Sequence, residues 1–149
     1  MKIFILCIIA GIMFCSLFSC QSNKGLTFGE ELEIVYDKYD SNLVLDGAFS
    51  YTVEEYDTLT KIAKKFYGNT NGYYFPLIML ASHNVVSDPD LIEPGMKLTI
   101  PNFSKNMSSI ESRKTLKKFF GDVAKIYLNK DTASSRDLYE QLFKISDDF

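Results

Sequence analysis

Apolar and polar positions follow a helical rhythm first. Phe28, Leu32, Val35 and Tyr39 recur at steps of four, three and four, which places them on one face of a helix. Asn42 and Gly47 break that pattern. The period then drops to two: Tyr51 and Val53 alternate with Ser50 and Thr52, a short strand. Leu59, Ile62, Ala63, Phe66 and Tyr67 fall at i, i+3, i+4, i+7 and i+8, a second helical face. Asp57 and Thr58 both suit its N-cap, because a side-chain oxygen there accepts a free backbone N–H. Lys61, Lys64 and Lys65 lie off that face, and Gly68-Asn69 stops the helix, both residues tolerating left-handed backbone. Pro76 suits the first turn of a further helix with Tyr74, Leu77, Ile78 and Ala81 as its stripe. Asp88-Pro89 and Pro94-Gly95 mark turns. Leu98 and Ile100 alternate with Lys97 and Thr99, and Pro101 ends this second strand. The order strand, helix, helix, strand predicts an α+β unit: two antiparallel outer strands with both helices on one face.

The C-terminal part is helical in pattern. Ser108 or Ser109 can cap a helix running to about Lys130, with Leu116, Phe119, Phe120, Val123, Ile126 and Tyr127 as its stripe. Asp131 to Ser135 is a polar break. Leu138, Leu142 and Ile145, flanked by Tyr139 and Phe143, form another amphipathic helix. These helices either pack on residues 26–49, dimerise, or receive a protein partner.

The segment from Tyr51 to Pro101 resembles the LysM (lysin motif) domain. The residues that carry the resemblance include Tyr51-Thr52-Val53, Asp57-Thr58-Leu59, Ile62-Ala63, Phe66 with Gly68, Pro76, Asp88-Pro89, Leu91-Ile92, Pro94-Gly95 and Ile100-Pro101. The resemblance implies non-catalytic binding of N-acetylglucosamine polymers, peptidoglycan foremost. It implies a groove with Tyr56, Asp57, Thr58 and Leu59 on one wall and Asp90, Leu91, Ile92 and Pro94 on the other. Loop N–H and C=O groups would bond the N-acetyl amides, and apolar side chains would cover methyls and sugar faces. Two positions depart from the family. Tyr56 stands where Gly is usual, so it strains the loop, covers the groove, or offers a ring to a sugar. Ser82, followed by His83 and Asn84, stands where the family often has Asn. Asp57 also reads as a helix cap, Leu59 and Ile92 as core. Asp88 and Asp90 read as turn residues before acid/base groups, and His83 as a helix-end residue.

Residues 1–20 read MKIFILCIIAGIMFCSLFSC. One Lys precedes a run without acids or bases from Ile3 to Phe18, the layout of an export signal. A membrane span needs about 20 apolar residues, and a buried helix would show more polar breaks. Leu17-Phe18-Ser19-Cys20 resembles a bacterial lipobox, with Phe18 bulkier than usual. The resemblance implies cleavage before Cys20 and acylation of its sulfur, so the expected cofactor list is empty apart from this covalent lipid. Cys7 and Cys15 would leave with the signal, and no disulfide would be possible afterwards. Residues 21–25 read as a polar tether. Gln21 after the Cys favours the outer over the inner membrane. The expected plan is a signal peptide at 1–19, a lipidated tether and amphipathic segment at 20–49, the LysM domain at 50–102 and a helical segment at 103–149.

Composition narrows the function. A net charge of -3 argues against nucleic acid as a partner. With one His and no zinc helix, nucleophile elbow or phosphate loop, no enzyme constellation appears. The expectation is a lipid-anchored, non-catalytic protein of a bacterial cell envelope that binds peptidoglycan through its groove and membrane through its lipid. Two alternatives stand beside it: a LysM-fold structural or interaction module without glycan binding, and an accessory subunit that directs a separate wall hydrolase through its C-terminal helices.

Overall fold

A computed structural model describes residues 25–130 and 132–149. The expected signal peptide, the expected lipidation site at Cys20, residues 21–24 of the expected tether, and Asp131 lie outside the described residues.

Helix α1, Phe28–Tyr39, opens with a capping box. The Thr27 hydroxyl accepts from the Glu30 N–H, and the Glu30 carboxylate accepts from the Thr27 N–H at 2.7 Å. Its buried face is Leu32, Tyr36 and Tyr39, with Phe28 and Val35 packed at the margin. Tyr36 joins the face that the spacing of the other four predicts.

Strands β1, Phe49–Thr52, and β2, Lys97–Ile100, pair antiparallel with Tyr51 opposite Leu98 and Ser50 opposite Thr99. Between them lie α2, Leu59–Tyr67, and α3, Pro76–Ala81, as the alternation predicts. Phe49 and Tyr51 meet Phe66 of α2 edge-on at 5.0 and 5.2 Å, which ties that helix to the sheet face. Thr58 caps α2, accepting the Lys61 N–H at 3.2 Å; Asp57 is used elsewhere. Gly68 ends the helix at φ 106°, a conformation that a Cβ disfavours, and Asn69 takes no positive φ. In α3, all five residues from Pro76 to Leu80 are buried, so the helix has no polar face. The expected one-sided stripe understates this burial, because β2 covers one side and a C-terminal helix another.

Ser82 follows α3 and is buried. Its hydroxyl accepts from the Thr99 N–H at 2.9 Å and donates to the Thr99 carbonyl at 3.3 Å. Strand β2 has one partner strand, so its outer edge needs another source of hydrogen bonds. Ser82 supplies it, which gives the departure from Asn a structural use.

Three helices follow: α4, Phe103–Ser108, α5, Ile110–Asn129, and α6, Ala133–Asp148. The helix expected from Ser108 or Ser109 to about Lys130 is α5. Ser109 does cap α5, but α4 precedes it, capped by the Asn102 carboxamide on the Lys105 N–H at 3.0 Å. Helix α4 is too short for a periodic stripe. Its place is fixed by Asn106, fully buried, which donates to the carbonyls of Val44 and Asn102 and accepts from the Val44 N–H and the Ser112 hydroxyl, all within 3.0 Å. That side chain pins the connection between α1 and β1 to the C-terminal part.

The C-terminal helices pack within the chain. On α5, Tyr127 meets Phe28 at 5.2 Å and Phe119 meets Tyr39 at 5.8 Å. Asp122 accepts from Lys38 and from the Tyr39 hydroxyl at 2.9 and 2.7 Å. Helix α6 comes close at Gly121, where a Cβ would stand 3.2 Å from the Ser146 hydroxyl. Tyr74 of the βααβ unit meets Phe120 at 5.9 Å. One buried cluster thus runs from Leu32 in α1 to Leu142 in α6.

Replacing Ser82 by Ala strands the part-buried Thr99 N–H and is expected to lower stability by about 1 kcal/mol. Urea unfolding followed by circular dichroism checks this; an unchanged midpoint would mean that water or a third group takes over the edge.

Candidate functional site

A cleft of about 200 Å³ opens between the loop after β1 and the loop before β2. From the first wall it takes Asp57, Thr58 and Leu59, and from the second Asp90 and Ile92. Five of the eight residues expected from the family pattern therefore meet around one space. Tyr56, Leu91 and Pro94 are exposed neighbours of these residues in the chain and do not line it. Leu59 is almost fully buried, so its main part is core, with an edge on the cleft.

The first wall is a turn locked by a carboxylate. The Asp57 N–H donates to the Glu54 carbonyl at 3.2 Å, which closes a four-residue turn with Tyr56 in its third position. Tyr56 has φ 67°, the one positive φ at a non-glycine among the described residues, and it is 80% exposed. The Gly usual in the family would take this conformation freely. Asp57 Oδ2 holds the turn shut, accepting from the Glu54 N–H at 2.9 Å and from the Tyr51 hydroxyl at 2.7 Å. Lys61 reaches back to the Tyr56 carbonyl at 2.8 Å. Several contacts thus over-determine a backbone that a Tyr alone would avoid. Partial burial pushes the Asp57 carboxyl up, but the Tyr51 hydroxyl, the Glu54 N–H and the ammonium groups of Lys65 and Lys61 outweigh it. Its pKa ends below the ordinary value.

The second wall is a turn locked from outside the unit. Asp88 Oδ1 accepts from the Asp90 N–H at 2.9 Å, and Pro89 between them is buried. Lys130, just past α5, reaches Asp90 at 2.5 Å and Asp88 at 3.6 Å. Its ammonium also lies 3.8 Å from the Phe28 ring centroid, a cation–π contact. The two carboxylates are turn and ion-pair groups, which leaves no reason to assign them acid/base work. His83 sits at a helix end with Nδ1 3.1 Å from the Leu80 carbonyl.

Five further residues line the cleft and were not among the expected groove residues: Thr60, Phe75, Pro89, Tyr127 and Leu138. Tyr127 and Leu138 belong to apolar stripes of α5 and α6, so periodicity reads them as core and offers no signal of a cleft. Among the described residues no group of three or more His, Cys, Asp or Glu side chains could hold a metal ion. No described helix is long and apolar enough to cross a membrane.

Residues 51–101 match the family model of the LysM domain. The family is a binding domain, generally non-catalytic, whose ligands are N-acetylglucosamine polymers such as peptidoglycan. A protein of Deinococcus radiodurans described as uncharacterized is 47% identical to this chain over 51 residues, which are 34% of this chain and 19% of that protein. The chain thus spans about a fifth of that relative's length. No solved structure matches the chain.

Tyr56→Gly removes the left-handed penalty of about 1–2 kcal/mol and adds unfolded-chain entropy of about 0.4–1 kcal/mol. Because the ring is exposed, no burial is lost, and a net gain of about 0.5–1 kcal/mol is expected in thermal unfolding. A lower melting temperature would mean that the ring itself stabilises the loop. Asp57 has a depressed folded pKa, so its contribution is complete above the ordinary carboxylate value of 3.8 and is lost as pH falls through the folded value. Urea unfolding at stepped acid pH is expected to show a shallower acid loss for Asp57→Asn than for wild type. Parallel curves would remove Asp57 from the pH response.

Proposed function

We propose that this chain binds N-acetylglucosamine-containing glycan, peptidoglycan in first place, in the cleft between the Glu54–Asp57 turn and the Asp88–Ile92 loop, without catalysis. The observation that carries the reading is the convergence of Asp57, Thr58, Leu59, Asp90 and Ile92 around one cleft inside the segment that matches a glycan-binding family. Sugars ask for that chemistry. Thr58, Thr60 and the two carboxylates offer hydrogen-bond groups for hydroxyls and amides, and Phe75, Ile92 and Leu59 offer apolar surface for acetyl methyls and ring faces. Tyr56, Leu91 and Pro94 stand exposed beside the lining residues and serve as outer contacts in this reading. Affinity for one short site is weak, about 10⁻⁴ to 10⁻⁶ M.

The proposal extends to placement. Residues 1–20, with the lipobox-like Leu17-Phe18-Ser19-Cys20, support a lipid anchor on Cys20 in a bacterial envelope, with the cleft facing the wall from the outer membrane. Confinement near the wall raises the effective concentration of glycan and offsets a weak single site. The role is then a link between membrane and wall.

The full chain in mild detergent is expected to cosediment with purified peptidoglycan sacculi. Ile92→Asp places a charge in the half-buried wall and is expected to weaken binding about tenfold or more. If both proteins pellet equally, the cleft is not the glycan site; if neither pellets, peptidoglycan is not the ligand.

A further inference from the structure

The cleft has a third wall that the βααβ unit does not build. Tyr127 from the end of α5 and Leu138 from α6 complete its lining. Tyr127 is almost fully buried, while Leu138 is only partly buried and packs against the core. A second cavity of about 100 Å³ shares Asp90, Tyr127 and Leu138 with the cleft and continues it to Ser134 and Ser135 on α6. The two cavities therefore meet at Asp90, Tyr127 and Leu138, and the Asp90 side chain is 59% exposed. Lys130 fixes that carboxylate from the same end of α5.

An apolar side chain and a fixed carboxylate lining the same space suit a sugar unit, whose ring face is apolar and whose rim carries hydroxyl donors. We propose that Leu138 contacts the glycan, and that the α5–α6 pair extends the binding site past Asp90 to receive one further N-acetylglucosamine unit. This rests on the reading of the cleft as the glycan site. It makes the C-terminal helices part of the binding surface and Leu138 a determinant of preferred glycan length.

Calorimetric titration of the full chain in mild detergent with β-1,4-linked N-acetylglucosamine oligomers, from the disaccharide to the hexasaccharide, tests it. Wild-type affinity is expected to keep rising with length after the Leu138→Asn variant has levelled off. For the longest oligomer the variant is expected to bind about tenfold more weakly, the effect of uncovering part of a leucine-sized contact. Phe143→Asn, on the more exposed part of the same helix, is expected to match wild type. In unsubstituted protein, NMR contacts between the Leu138 methyls and the hexasaccharide are expected, and their absence overturns the inference whether or not the variant folds. Length dependence equal to wild type in a folded Leu138→Asn protein also overturns it, while leaving the glycan cleft in place. Wild-type protein that binds no oligomer, with Ile92→Asp indistinguishable from it, removes the reading underneath.

Discussion

Helix α5 has more apolar circumference than one neighbour can cover, and the other parts of the molecule share it. Leu116, Phe119, Phe120, Val123, Ala124 and Tyr127 are all buried to within 2%. Helix α1 takes one side through Phe28 and Tyr39, the βααβ unit another through Tyr74 and Phe75, and α6 closes in at Gly121. A two-stranded sheet with short helices has little interior of its own, and small units are marginal for that reason. Sharing a core with α5 relieves this, since each element buries surface that it could not bury alone.

The cleft inherits its shape from two polar locks on either side of this core. On one side, a carboxylate holds a turn whose third residue is a tyrosine in a glycine's conformation. On the other, an ammonium from outside the unit holds two aspartates that would otherwise repel each other. Both locks are partly wet, so each contact alone is modest. Their effect is on geometry: two loops at one end of a two-stranded sheet are held facing each other.

The βααβ plan was legible because period-two and period-3.6 segments alternate cleanly and Pro and Gly punctuate them. Helix α4 was not legible, since its position depends on the buried carboxamide of Asn106 and not on a stripe. Much of the site was legible through family resemblance: Asp57, Thr58, Leu59, Asp90 and Ile92 converge, while Tyr56, Leu91 and Pro94 stand outside the lining. The roles were harder. Asp57 reads as a cap from its position before a helix, but Thr58 takes that place and frees Asp57 for the turn. Tyr127 and Leu138 carried no signal at all, because a residue that lines a cleft from a helix stripe looks like any core residue until the neighbouring loop is placed.

Phe28 stands at the first turn of α1, and its ring touches both Tyr127 and the Lys130 ammonium that grips Asp90. The segment that precedes Thr27 therefore enters the fold two contacts away from the cleft wall. A pull applied along that segment reaches the cleft wall through Phe28, Lys130 and Asp90. It bypasses the two-stranded sheet, whose few hydrogen bonds would open one after another under a peeling load. The molecule is arranged like a hook whose shank joins directly at the bend.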